Sequence, residues 1–128
     1  MGLGPGSVVQ ELGWDEDVDD ELRVQIEDAI DGDMVDGDYG NVVDAVLLWW
    51  RAEDGDLTDA LVDAITLLAD TGVIWLLTPK TGRDGYVEPS DIAEATRTAG
   101  LSQTTTVPGG TDWTIARLAR AKQGRIRR

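Results

Sequence analysis

Cysteine and histidine are both absent from these 128 residues. That excludes disulfides, thiol nucleophiles, Cys/His zinc sites, haem ligation through His, and every Ser-His-Asp or Cys-His arrangement. Phenylalanine is missing too and tyrosine occurs twice, so five tryptophans supply most of the aromatic surface. No apolar run approaches the ~18–20 residues that a bilayer-spanning helix requires. The longest are Ala45–Trp50 and Gly72–Leu77. The opening Met1–Gly6 has neither the basic stretch nor the apolar core of a secretory leader. A cytoplasmic location without membrane association is the expectation.

Positive charge is scarce and unevenly placed. Against 25 acids stand 11 bases, for a formal net charge of −14. Residues 1–60 carry 18 of the acids and two bases, Arg23 and Arg51, whereas the last twelve residues carry six bases. Such an acidic body repels DNA, RNA and anionic lipid through its long-range field. The basic segment 123–128 is read as a flexible tail. It is the one part of the chain for which a nucleic-acid contact is an alternative.

What is present is a regular alternation of apolar segments. Ser7–Leu12 reads as a short buried strand after the turn Gly4-Pro5-Gly6. Val18, Leu22, Ile26 and Ile30 recur every four residues, one apolar stripe on a helix whose acids cluster at its N-terminal end, with Gly32 as the stop. Asp33-Met34-Val35 is a minimal strand. Val42–Trp50 is continuously apolar and β-branched at its start, which favours a central strand. Asp56 is an N-cap, and Leu57, Leu61, Ala64, Ile65 and Leu68 form the apolar face of a second helix ended by Thr71-Gly72. Val73–Leu77 is another buried strand, stopped at Thr78-Pro79-Lys80. Pro89 opens a third helix that Gly100 closes. Gln103–Val107 and Trp113–Ala119 form a hairpin about Pro108-Gly109-Gly110. The order predicts an α/β fold: a single three-layer Rossmann-like domain over residues 1–122, its sheet mostly parallel with an antiparallel C-terminal hairpin.

Four features are candidate sites. The loop Glu11-Leu12-Gly13-Trp14-Asp15 follows the first strand, where open α/β sheets bind ligands. A phosphate cradle needs glycines and tolerates no carboxylates, so a structural loop is the simpler reading. Asp15, Asp17 and Asp19 match positions 1, 3 and 5 of a calcium loop, but Asp20 stands where glycine belongs and Ile26 where glutamate belongs. No metal or cofactor is expected. Trp49 and Trp50 must point to opposite faces of a strand. Most of the tryptophans suit the core, and Trp14 and Trp50, at strand ends, suit a pocket or interface. Lys80 leaves the end of a central strand, where it is placed either to hold an anion or to pair with a carboxylate. Gly13, Trp14, Trp50 and Lys80 are thus the candidate ligand or interface residues, and no catalytic residue is assigned.

Several stretches carry a family resemblance: Gly4–Asp17, Val43–Arg51 (VDAVLLWWR), Val73–Lys80 (VIWLLTPK), Val87–Ala95 (VEPSDIAEA) and the Trp113 segment. Together they resemble an actinobacterial family of small acidic proteins known only as "domain of unknown function 3052". More distantly, the element order is similar to a class I, S-adenosylmethionine-dependent methyltransferase core lacking material around its second and third strands. In that likeness Glu11-Leu12-Gly13 opens an acid-x-Gly-x-Gly loop, but Asp15 replaces the second glycine and Trp14 intrudes before it. The resemblance implies a methyltransferase-like fold with a degraded cofactor site. The expected function is a non-catalytic interaction or regulatory module with a protein partner or a second copy of itself. The alternatives are a small-molecule binder or cryptic transferase of the S-adenosylmethionine type, and a regulator that touches nucleic acid through its basic tail.

Overall fold

A computed structural model of the chain describes residues 3–121. The segment 123–128, read from sequence as a flexible tail, lies outside the described residues.

The chain runs β1 (Val9–Leu12), α1 (Asp20–Ile30), β2 (Val43–Trp49), a 3-10 turn (Ala52–Asp54), α2 (Leu57–Ile65), β3 (Leu68–Pro79), α3 (Pro89–Thr98), β4 (Leu101–Gly109) and β5 (Trp113–Arg120). The five strands form one sheet in the order β1-β2-β3-β5-β4. β1, β2 and β3 are parallel, and β5 runs antiparallel to both β3 and β4. The minimal strand expected at Asp33-Met34-Val35 is a single parallel bridge from Val35 to Gln10. Gln10, fully buried, donates from Nε2 to the Asp36 carbonyl at 2.8 Å and holds this excursion against β1.

Helix ends follow local chemistry. The Asp19 carboxylate accepts from the Leu22 N–H at 3.0 Å and caps α1, while Asp20 and Glu21 occupy the first turn, where the helix dipole favours negative charge. The left-handed residue that ends α1 is Asp31 (φ 56°), one position before the glycine that sequence nominated. Asp56 caps α2 by accepting from the Asp59 N–H. Pro89 opens α3, where its missing N–H costs no helical bond.

The central strands β2 and β3 are covered on both faces, whereas the edge strand β4 is exposed from Ser102 to Pro108. Leu22, Ile26 and Ile30 of α1 pack on Val9, Leu47, Trp49, Trp75, Leu77 and Trp113. On the other face α2 and α3 bring Leu57, Leu61, Ala64 and Ala95 to Val46, Leu48, Ile74, Leu76 and Leu118. Successive strand residues alternate between these clusters, so Trp49 is fully buried beneath α1 while Trp50 is half-buried against the α2/α3 side. Of the five tryptophans, Trp49, Trp75 and Trp113 are core, and Trp14 is 56 % exposed.

Three boundaries depart from the sequence reading. Leu68 is not on α2: the helix stops at Ile65, and Leu68 opens β3, buried and paired with Val43. Its spacing from Leu61 and Ala64 suits a helix, but strand pairing with β2 overrides that local pattern. Thr71-Gly72 therefore lies within a strand, and a Cβ on Gly72 would come within 2.9 Å of the Leu68 side chain. Pro108-Gly109 belongs to β4, and the turn is Gly110-Thr111-Asp112. β4 is an edge strand, where proline is tolerated.

Leu61 is fully buried and Val62 is 46 % exposed on the same helix. Leu61→Ala is expected to cost about 2–5 kcal/mol and Val62→Ala less than about 0.5 kcal/mol, measured as shifts in the urea unfolding midpoint.

Candidate functional site

The topology defines where a ligand would bind in this kind of sheet. From β1 the chain leaves to the α1 face, and from β2 it leaves to the α2 face. Val35 returns on the outer side of β1, while β2 lies on its inner side. Connections that diverge in this way open a crevice at the carboxyl ends of the two strands. Here that crevice lies between the Gly13 turn and the Trp49–Arg51 end of β2.

The inner part of the crevice is taken up by the chain itself, and an open depression remains in front of it. Gly13 has φ +78°, and a Cβ built there would run into the Trp49 carbonyl oxygen, so only glycine lets this turn press against the end of β2. The Arg51 guanidinium packs against this turn at the base of the crevice, with only 7 % of the residue exposed. Its Nη1 donates to the Gly13 carbonyl at 2.7 Å, its Nε to Asp17 Oδ2 at 3.0 Å, and its Nη2 to Asp17 Oδ1. The Arg51 backbone N–H donates to Asp54 Oδ2 at 2.9 Å, and Nη1 lies 3.4 Å from the same oxygen. The guanidinium carbon stands 5.3 Å from the centroid of the Trp113 ring, within cation–π range. Trp113 meets Trp49 edge-to-face at 4.8 Å and 79°. The Gly85 backbone packs on the Arg51 stem, where a Cβ would lie 2.9 Å from Arg51 Cβ.

Charge follows the same geometry. The hydrogen bonds from Arg51 hold the Asp17 carboxyl below its ordinary 3.8, against the opposing effect of burial. Burial alone would lower the Arg51 pKa, but the hydrogen bonds and charges of Asp17 and Asp54 outweigh it and raise it. Beside this cluster the Glu11 carboxylate accepts from Arg23 Nε and Nη2, both at 2.7 Å, and from Trp49 Nε1 at 2.9 Å. The Arg23 pKa is raised, chiefly through its hydrogen bonds to Glu11. The carboxylates that imitate a calcium loop have structural partners: Asp15 accepts from the Glu16 N–H, Asp17 holds Arg51, and Asp19 caps α1.

Of the residues nominated from sequence, Gly13, Trp14 and Trp50 line one open depression of about 330 Å³ together with Arg51 and Asp54. Lys80 does not join them. Its Nζ donates to the Gly110 carbonyl at 3.1 Å, and its backbone N–H to the Asp112 carbonyl, tying the end of β3 to the β4–β5 turn. The sequence reading assigns Arg51 no role in the site. The available signal was scarcity: Arg23 and Arg51 are the only bases among the first sixty residues, and both make ion pairs with carboxylates of β1 or the loop after it.

The sheet, the diverging helices and the closing antiparallel hairpin define a Rossmann-like α/β fold, similar to the fold of solved methyltransferases. Similar solved structures include magnesium protoporphyrin IX methyltransferase from Synechocystis PCC 6803 with bound S-adenosylmethionine. It aligns with a TM-score of 0.57 at 15% identity, over 91% of this chain and 71% of that one. A methyltransferase from Pyrococcus furiosus aligns at 0.55 and 14% identity, over 94% and 78%. The pyocyanin biosynthetic protein PhzM aligns at 0.63 and 14%, over 91% and 51%. At these identities the likeness is one of fold. The chain belongs to the family described as "Protein of unknown function (DUF3052)", which matches residues 1–122. Uncharacterized proteins of Mycobacterium tuberculosis and Mycobacterium bovis are each 52% identical to it over 122 residues, covering 95% of this chain and 77% of theirs.

Two variants probe the closure. Arg51→Ala leaves the Gly13 carbonyl and Asp17 without their donor and is expected to cost on the order of 2 kcal/mol. Arg51→Lys should recover only part of this, since a point charge cannot serve carboxylate and carbonyl as a planar fork does. Asp17 contributes stability that is present above about pH 4 and is lost as pH falls through its lower folded-state pKa. Asp17→Asn should therefore unfold at lower urea than wild type at pH 7, and the gap should close once the pH is taken well below 3.8.

Proposed function

We propose that this protein is a non-catalytic interaction or regulatory module, acting through a protein partner or self-association on a methyltransferase-type frame. One observation carries the reading: Arg51 occupies the strand-end crevice, bonded to the Gly13 carbonyl and to Asp17. A cofactor of the S-adenosylmethionine kind would have to displace a buried guanidinium from its hydrogen-bonded partners, a cost of several kcal/mol before any gain. It would also have to push the Gly13 turn off the Trp49 carbonyl, which is a backbone movement and not a change of rotamer. The Glu11 carboxylate is already engaged by Arg23 and Trp49. Trp14 and Trp50 are the large apolar groups left at this end of the sheet, and tryptophan is enriched where proteins bind one another.

The second reading is a small-molecule binder or cryptic transferase. It is favoured by the shared fold, since one of the similar structures holds S-adenosylmethionine. Calorimetric titration separates the two. With S-adenosylmethionine, S-adenosylhomocysteine and ATP, we expect no saturable heat and no thermal shift. Arg51→Ala should stay equally silent, because the Gly13 turn still blocks the crevice. Saturable binding to wild-type protein with a Kd below about 100 µM would establish the binder reading instead. Light scattering and affinity capture test the first reading directly, and a monomer that retains no partner counts against it.

A further inference from the structure

Trp50 is shared by two open depressions at the carboxyl end of the sheet. One, of about 330 Å³, is lined by Trp14, Asp15 and Asp54 besides Trp50. The other, of about 610 Å³, runs between α2 and α3 and is lined by Trp50, Tyr86, Glu88, Asp91 and Glu94. Together they make a grooved surface on either side of Trp50, with Trp14 on one side and Tyr86 on the other. Trp14 is 56 % exposed there, with no polar partner among the described contacts of its indole. A large aromatic left in water is the kind of residue that anchors an interface. The carboxylates border these rings, and the one cation lining either depression, Arg51, is buried and paired with Asp17 and Asp54.

We infer that this groove is the docking surface for an arginine-bearing, extended segment of a partner protein. The inference rests on the interaction-module reading above and names its surface and partner chemistry. Charge decides the class. The groove is anionic along its length, so nucleic acid and anionic lipid are repelled while a basic peptide is drawn in. The aromatic faces decide the side chain. A guanidinium stacks on tryptophan and tyrosine and also donates to carboxylates, whereas an ammonium acts as a compact point charge. The same end of the molecule already holds one guanidinium in this way, since Arg51 lies over Trp113 and is bound by Asp17. The two depressions, about 330 and 610 Å³, leave room for side chains of a docked segment on either side of Trp50.

The test uses the full chain and a blocked nonapeptide that repeats Gly, Arg and Ala, followed by calorimetry and tryptophan fluorescence. A control peptide carries citrulline in place of each arginine, and spermidine serves as a free cation. We expect saturable binding of the arginine peptide, accompanied by a change in tryptophan emission, and none of the citrulline peptide. Trp14→Ala and the pair Glu88→Gln/Glu94→Gln should each weaken it by about tenfold or more. Glu21→Gln/Asp28→Asn, which removes as much charge from exposed positions on α1, should change it by less than about twofold. The inference is overturned if the arginine peptide does not bind, or if spermidine or the citrulline peptide binds as tightly. It is overturned equally if the α1 pair weakens binding as much as the groove pair, or if the groove proves to be covered by a second copy that Trp14→Ala releases. Each of these leaves the nucleotide titrations unchanged, so the closed crevice and the basic partner fail separately.

Discussion

One buried guanidinium fastens the turn after β1 to the end of β2. Arg51 leaves the end of β2 and reaches back to the turn after β1, where it meets the Gly13 carbonyl and the Asp17 carboxylate. In an open α/β sheet those strand ends are where connections part and leave room for a guest. Here the protein's own side chain takes that position, backed by the rings of Trp113 and Trp49. The approach is close enough that position 13 admits no side chain at all.

The same interaction explains how so acidic a chain tolerates its own charge. In the first sixty residues eighteen carboxylates face two arginines. Arg23 draws Glu11 and the α1 helix together, and Arg51 draws the loop after β1 onto β2. Both are internal fasteners, so the exposed acids around them remain uncompensated and face water. The fold itself depends on burial of leucine, isoleucine, valine and tryptophan on the two faces of the sheet.

The architecture was readable in the sequence because buried strands and amphipathic helices differ in period. VVDAVLLWW and VIWLL read as central strands, and the stripe from Leu22 to Ile30 as a helix, before any pairing was known. The sequence resemblance to the family of unknown function and the likeness to methyltransferase folds both hold. Boundaries failed where a partner strand decides them. Leu68 has helical spacing but is claimed by Val43, and Pro108 has the look of a turn but extends an edge strand. The closure of the crevice was half legible. Trp14 and Asp15 marked the loop as crowded, but the group that fills it comes from 38 residues downstream of Gly13. No local pattern encodes a contact over that span. Lys80 was drawn to the site by its place at a strand end, and the β4–β5 turn holds it elsewhere.

The far border of the sheet has its own vulnerability. β1 is four residues long, and Val35 covers its outer side with two backbone bonds, donating to the Val9 carbonyl at 2.9 Å and accepting from the Glu11 N–H at 2.8 Å. Release of that one residue would bare a strand margin and give up its packing against the α2/α3-side core. Amide protons along this seam would trade with solvent through local fraying, sooner than those of β2 and β3. The molecule thus has a soft hem beside its most rigid joint, and a foreign strand seeking a template would find it there.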